Sequence, residues 1–302
     1  MTKAPMRIGQ FLILTISCLA LLSSCSVEAN DRVIAPFSMK TVSYVPKLHD
    51  EAHLMDLYIP AKAVKPMPVI LWIHGGAWLM GNKEDTPALF FMKSGYAVAS
   101  INYRFSTAAI FPAQIEDAKA AVRWLRANAD KYHLDPDRIA AFGNSAGGHL
   151  AALLGTTGDV KPLEGNLGNA NQSSKVQAVV DWCGPSDFIS IEEQGDANNQ
   201  LRPGDPKGPV AKLFGGLPSK KPELAASASP MTFVSNDDPP FLIMHGDHDN
   251  VVPIKQSSDF YEVLKAAKVK VVYHVVKNGG HNFFSPENLQ IVENWLKLNL
   301  RK

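Results

Sequence analysis

Gly143-Asn144-Ser145-Ala146-Gly147 sits between an apolar run at 138–142 and a segment rich in Ala and Leu at 149–154. A strand, then Gly-x-Ser-x-Gly, then a helix is the setting of a nucleophile elbow. The requirement is steric. A serine on so tight a strand-to-helix turn has strained backbone angles, so the residues two before and two after it must carry almost no side chain. The turn lifts the serine hydroxyl clear of the sheet at a helix N-terminus, where backbone N–H groups face developing negative charge. Alone the pentapeptide is a weak signal. At average glycine and serine usage a chain of this length holds one by chance roughly one time in ten, so the flanking sequence has to support it.

Residues 69–73 are a continuous apolar run, as expected of a strand buried on both faces. The run ends in His74-Gly75-Gly76-Ala77-Trp78. Acyl transfer places negative charge on a carbonyl oxygen, and a loop of nearly bare backbone can aim N–H groups at it. The candidate oxyanion donors are the N–H groups of Gly76 and Ala77, with Ala146 as the residue after the nucleophile. Gly75 is a weaker candidate, and His74 reads as a loop brace.

Further strands are expected at 96–101, 176–182, 241–244 and 269–276, with an edge hairpin from 37–45 and 53–58 turning at His49-Asp50-Glu51. Residues 112–131 read as a helix with Ile115, Ala118, Val122, Leu125 and Ala129 as its apolar stripe. Pro112 suits its first turn, and Glu116 and Asp117 read as first-turn or solvent-face carboxylates. Arg104, just past a strand, reads as a brace rather than a substrate contact. Helices are also expected at 253–267 and 286–298. This alternation predicts an α/β fold, a mostly parallel central sheet with helices on both faces. The pattern breaks at 187–226, which is rich in Gly, Pro, Asn and Lys. A loop this long in a compact domain reads as a lid-like insertion that covers the site and sets acyl or alcohol preference. The competing reading is a solvated surface excursion.

A serine hydroxyl needs a base, because it is a poor nucleophile near neutral pH. His281 follows the last expected strand on a glycine loop, and Asp249 follows the strand before it. The chain order Ser145, Asp249, His281 is that of one class of Ser-Asp-His hydrolases, distinct from the chymotrypsin and subtilisin orders. Asp247 competes with Asp249 for the acid but reads better as a loop cap, with His248 at the surface. A zinc site from His245, Asp247, His248 and Asp249 is disfavoured, since adjacent loop residues seldom point at one ion.

Composition is ordinary for a soluble globular protein: 46% hydrophobic and 20% charged residues, with 30 basic against 29 acidic. No basic stripe or aromatic-basic interleaving points to nucleic acid. Lys3 and Arg7, the apolar residues 11–22 and then Ser23-Ser24-Cys25 have the layout of a secretory signal. The run is too short to span a membrane. Leu22-Ser23-Ser24-Cys25 resembles a bacterial lipobox, which implies cleavage after residue 24, lipidation of Cys25 and a tether over 25–36. Ser26 after the cysteine resembles an outer-membrane sorting pattern, so the expected location is the outer membrane or the periplasm. The alternative is a plain cleaved signal. Removing that leader changes the net charge from +1 to −1. Of three cysteines, Cys18 leaves with the signal and Cys25 carries lipid, so Cys183 stands alone as a buried packing residue.

From about residue 50 to 300 the chain resembles the α/β-hydrolase superfamily, in its hormone-sensitive-lipase-like carboxylesterase branch. More narrowly it resembles the bacterial bifunctional feruloyl and acetyl xylan esterases. The stretches that carry the resemblance are His74 to Trp78 with Gly81, Asn102-Tyr103-Arg104, Phe111-Pro112-Ala113-Gln114, residues 120–158, Gly184 to Asp187, Ser229-Pro230, residues 238–253 and Gly280-His281. Ala77 departs from the third glycine of the wider branch, where only a backbone N–H is required. The resemblance implies a catalytic domain over 37–302, a triad of Ser145, Asp249 and His281, and ester hydrolysis without a metal or organic cofactor. The expected partners are a small-molecule or polysaccharide-linked ester and, through Cys25, a membrane. Rival readings are a general short-chain lipase-like esterase, a serine peptidase of the prolyl-oligopeptidase type, and a non-catalytic binding module.

Overall fold

The computed structural model describes residues 37–48, 50–61, 65–158, 160–194 and 200–300. Its strands are β1 (Phe37–Ser43), β2 (Leu54–Pro60), β3 (Met67–Ile73), β4 (Ala97–Ile101), β5 (Leu134–Asn144), β6 (Ala178–Trp182), β7 (Phe241–Gly246) and β8 (Val271–Val276). They form one sheet in the order β1-β2-β4-β3-β5-β6-β7-β8. The β1–β2 and β2–β4 pairs are antiparallel, and every pair from β4 to β8 is parallel. The expected hairpin is therefore the sheet edge, and the parallel strands deliver their C-terminal ends to one side.

The helices are α1 (Ala113–Ala127), α2 (Ala129–Tyr132), α3 (Ala146–Thr156), α4 (Ile191–Gln194), α5 (Pro209–Phe214), α6 (Pro222–Ala228), α7 (Ile254–Ala266) and α8 (Pro286–Asn299). Strand alternation sorts the core into two layers. Val69, Leu71 and Ile73 join Ile115, Val122, Leu150, Phe260 and Leu264 on one face of the sheet. Ile70 and Trp72 join Phe142, Leu289, Val292 and Leu296 on the other. Continuous apolar runs were needed because both faces are covered.

Two sequence expectations change. The helix expected over 112–131 is split at Asn128 into α1 and α2. Asp117 is fully buried rather than on a solvent face, because Arg104 folds over it with Nη2 and Nε at 2.7–3.0 Å. This confirms Arg104 as a brace. The 187–226 segment holds three short helices, and Phe188 and Phe214 are buried in the core. Among its described residues, then, it is a packed wall at this point rather than a loose excursion. Cys25 and the tether lie outside the described residues, as does His49 at the expected turn.

Candidate active site

β5 ends at Asn144 and α3 begins at Ala146, so Ser145 is the whole joint between them. Its φ of 55° and ψ of −122° lie where non-glycine residues are strained. The Ser145 N–H donates to the Trp182 carbonyl at 2.8 Å, which pins the joint to β6. The flanking glycines have no substitute. A Cβ on Gly143 would stand 2.2 Å from the Gly147 carbonyl oxygen, and one on Gly147 would stand 2.0 Å from that of Ile73.

The loop after β3 runs beside this joint. Gly76, Ala77 and Trp78 all have positive φ, at 108°, 53° and 59°. Two non-glycine residues in that region need outside support, and Trp78 supplies it. Its indole is fully buried and its Nε1–H donates to His149 Nδ1 at 3.1 Å. His149 Nε2 in turn donates to the Ala228 carbonyl at 2.8 Å. Burial, only partly opposed by that carbonyl, lowers the His149 pKa to about 4, so the ring is neutral with its tautomer fixed by its neighbours. Among the described residues no acceptor takes the N–H of Gly76, Ala77 or Ala146. His74 stacks on Tyr103 with centroids 4.5 Å apart, and its Nδ1 lies 2.7 Å from the Gly75 carbonyl, which is a bracing role.

The loops after β7 and β8 are laced together. Asp247 N–H donates to Val276 O at 3.1 Å and His248 N–H to Gly279 O at 2.8 Å. A side chain on Gly246 would put its Cβ 2.3 Å from the Gly279 carbonyl oxygen. This brings the His281 Nδ1 to 2.8 Å from Asp249 Oδ2. A carboxylate only accepts, so Nδ1 carries the proton and Nε2 is left as the basic nitrogen. The other Asp249 oxygen accepts the N–H groups of Val251 and Val252 at 2.7 and 3.0 Å. Burial alone would raise this carboxyl's pKa, but hydrogen bonds from His245 and His281 hold it well below the usual range.

His245 had no role in the sequence reading beyond the disfavoured zinc site. Here it is fully buried, with Nε2 3.1 Å from Asp249 Oδ2 and 3.1 Å from Val252 O, and Nδ1 2.7 Å from Ser257 Oγ. Two acceptors at Nε2 require the proton there, so His245 and His281 converge on the same Asp249 oxygen. Nothing in the sequence separates such a histidine from an ordinary core one. Asp247 and His248 pair with each other at the surface, 2.7 Å apart, and do not join the cluster. Cys183 is buried as expected, and its thiol also lies 3.5 Å from the His281 carbonyl. Ligand-capable atoms of Cys183, Asp249 and His281 lie within 4.8 Å of one another. Burial raises the thiol pKa, and Asp249 and His281 are already paired, so the three form a hydrogen-bonded cluster rather than a free donor set.

A cavity of about 690 Å³ opens beside this group, between the loop after β3 and the residues following His281. Gly76, Asn144, Asn282 and Phe284 are on its wall, and no described residue of the 187–226 segment is. That segment lies instead against the loop after β3, with Phe188 5.8 Å from Trp78 and 5.1 Å from His149 between ring centroids.

The geometry agrees with known proteins. The BD-FAE family profile matches residues 55–264. Esterase LipC of Mycobacterium tuberculosis is 34% identical over 241 residues, which cover 78% of this chain and 58% of that protein. The probable carboxylic ester hydrolase LipM of the same organism is 34% identical over 225 residues, 72% of this chain and 49% of that one. The chain thus spans about half the length of the curated relatives it matches. Among solved structures, a truncated carbohydrate esterase from gut microbiota superposes with a TM-score of 0.81 at 35% identity, covering 90% of this chain and 99% of that one. A bifunctional GH43-CE protein of Bacteroides eggerthii gives 0.77 at 37% identity, covering 86% of this chain and 38% of that one. The chain has the α/β-hydrolase fold and belongs to the BD-FAE family.

Proposed function

We propose that the chain is a serine carboxylesterase. The observation that carries this is the 2.8 Å Asp249–His281 pair at the strand edge that also presents a strained Ser145 and unpaired backbone donors. His281 Nε2 takes the Ser145 proton as Oγ attacks the ester carbonyl. The N–H groups of Gly76, Ala77 and Ala146 hold the oxyanion. The C–O bond to the alcohol breaks, His281 returns the proton to the departing oxygen, and water cleaves the acyl-enzyme by the same steps. The family and the carbohydrate esterase neighbours favour acetyl or feruloyl esters of plant polysaccharide as substrates.

The test is initial rates on acetyl, butyryl, octanoyl and feruloyl esters with a chain beginning at Ser26, which keeps β1 whole. Ser145→Ala is the control and should lower kcat at least ~10⁴-fold without loss of fold. Serine-dependent turnover of acetyl or feruloyl esters over octanoyl supports the polysaccharide reading. A preference for octanoyl points to a lipase-like esterase, and a fully active Ser145→Ala variant refutes the mechanism. We further infer that Cys25 carries a lipid anchor in the outer membrane or facing the periplasm. Cys25→Ser should then move the protein from the membrane to the soluble fraction.

A further inference from the structure

The main chain that carries the base is held at one point. The Gly279 carbonyl accepts the His248 N–H at 2.8 Å, and the Phe283 carbonyl accepts Asn288 Nδ2 at 2.7 Å. Between them, over 280–282, a single main-chain hydrogen bond is made among the described residues, and its donor is the Cys183 thiol, 3.5 Å from the His281 carbonyl oxygen. A loop that enters through Gly279 and Gly280 has little stiffness of its own. We propose that Cys183 is a positioning residue for the base: its S–H, donated to the His281 carbonyl, sets where His281 stands relative to Ser145. The proposal rests on the esterase reading above and assigns the residue that holds its base in register.

The end of β6 serves both reacting groups. The Trp182 carbonyl takes the Ser145 N–H at 2.8 Å, and the Trp182 ring lies 4.8 and 4.7 Å from those of Phe283 and Phe284 between centroids. Cys183 is the next residue, and its own N–H donates to the Met244 carbonyl on β7 at 2.9 Å. Two adjacent residues thus tie the elbow on one side to the base loop on the other, from a strand end pinned to both of its neighbours in the sheet. Cys183 is fully buried at a φ of 47°, where a side chain is strained and glycine is not. A cysteine kept at that angle points to a use for its sulfur.

The acceptors around the thiol leave it one place to donate. Burial, more than the nearby Asp249 charge, raises its pKa, so the sulfur keeps its proton. Asp249 is close, but its oxygens are occupied. Oδ1 accepts the N–H groups of Val251 and Val252, and Oδ2 is approached by both His245 and His281. The His281 carbonyl has no other donor among the described residues. The two holds on His281 act on different ends of it. Asp249 orients the imidazole, and Cys183 fixes the backbone from which the imidazole projects. Loss of the second leaves the pair with Asp249 able to form but lets it drift from Ser145, which taxes the step in which His281 takes the serine proton.

In the chain beginning at Ser26, Cys183 is the only cysteine, so infrared spectroscopy reads a single S–H stretch. In the folded parent that band should lie below the position of a free alkyl thiol, and it should vanish in Cys183→Ala. On p-nitrophenyl acetate, Cys183→Ala should lower kcat about three- to tenfold with KM within about twofold. Phosphonylation of Ser145 by a fluorophosphonate, which needs the same base, should slow by the same factor. Cys183→Ser keeps a donor and should bring both rates to within about twofold of the parent. A packing role predicts the reverse, because a buried hydroxyl fills the space of sulfur no better than a methyl group does. The two variants would then lose activity alike, in step with their thermal unfolding. Equal losses in Cys183→Ala and Cys183→Ser overturn the proposal, as do unchanged rates in Cys183→Ala. So does an S–H band at the free-thiol position, which is read on the parent whether or not the variants fold. These outcomes leave the esterase reading intact. Absence of turnover by the parent above the Ser145→Ala control overturns that reading and the role of Cys183 with it.

Discussion

Asp181 carries no role in the proposed chemistry, yet it is fully buried on β6 beneath the elbow helix. Oδ1 accepts the Gly184 N–H at 2.9 Å, and Oδ2 has no partner among the described residues. Burial raises its pKa from 3.8 to about 7, only slightly opposed by the Gly184 bond. The folded state therefore binds a proton that the unfolded state releases between those values. Stability falls as pH rises through that window and is flat above it. The full difference corresponds to roughly 4 kcal/mol. Relaxation around the charge and the N-terminus of α3 above it reduce the figure, so roughly 2–4 kcal/mol is expected. Asp181→Asn has the same shape, keeps the Oδ1 contact and cannot ionise.

His149 makes this prediction sharper, because its slope has the opposite sign. Its pKa falls from 6.5 to about 4 on folding, mainly through burial, so its contribution is lost as pH drops through that interval. In the parent the two groups nearly cancel between about pH 4 and 6.5. In Asp181→Asn the His149 slope is unmasked. Urea unfolding at a series of pH values should show the variant matching the parent at pH 4, then gaining steadily, to be roughly 2–4 kcal/mol more stable at pH 8. A variant no more stable than the parent at pH 8 would refute the argument. So would a gain of equal size at pH 4, which would trace to packing rather than ionisation.

Gly147→Ala forces a Cβ to 2.0 Å from the Ile73 carbonyl oxygen, and backbone must move to admit it. The expected cost is about 3 kcal/mol or more in urea unfolding, with kcat/KM at least ~100-fold lower because Ser145 shifts. His245→Phe removes the ring nitrogen 3.1 Å from Asp249 Oδ2, together with its contacts to Val252 O and Ser257 Oγ. It should lower kcat/KM about 10- to 100-fold, mostly in kcat, and move the acid limb of the pH profile upward. His245→Gln restores an N–H and should recover part of both effects, whereas an unchanged pH profile in the Phe variant would assign His245 to packing alone.

What was legible in the sequence was local or ordered by the chain. Gly143 and Gly147 are demanded by contacts within the turn and with the adjacent strand, so spacing alone exposes them. Asp249 and His281 follow successive strands, and a parallel sheet aligns strand ends wherever they lie in the sequence. What was hidden depends on side chains reaching across elements. Asp117 has the spacing of a first-turn carboxylate, and only the return of Arg104 over α1 buries it. His245 becomes a support for Asp249 because the chain doubles back between residues 245 and 252.

The 187–226 segment shows the same limit in another form. Its polar, glycine-rich composition conceals two aromatic residues that the fold uses as anchors. Phe188 and Phe214 lie 5.1 Å apart between centroids, and Phe188 meets both Trp78 and His149. Those two side chains hold the positive-φ loop that presents Gly76 and Ala77. The insertion therefore bears on the loop after β3 beside Ser145, from outside the cavity that the same loop forms with Asn282 and Phe284. Substitutions at Phe188 should therefore act on that loop through Trp78 and His149.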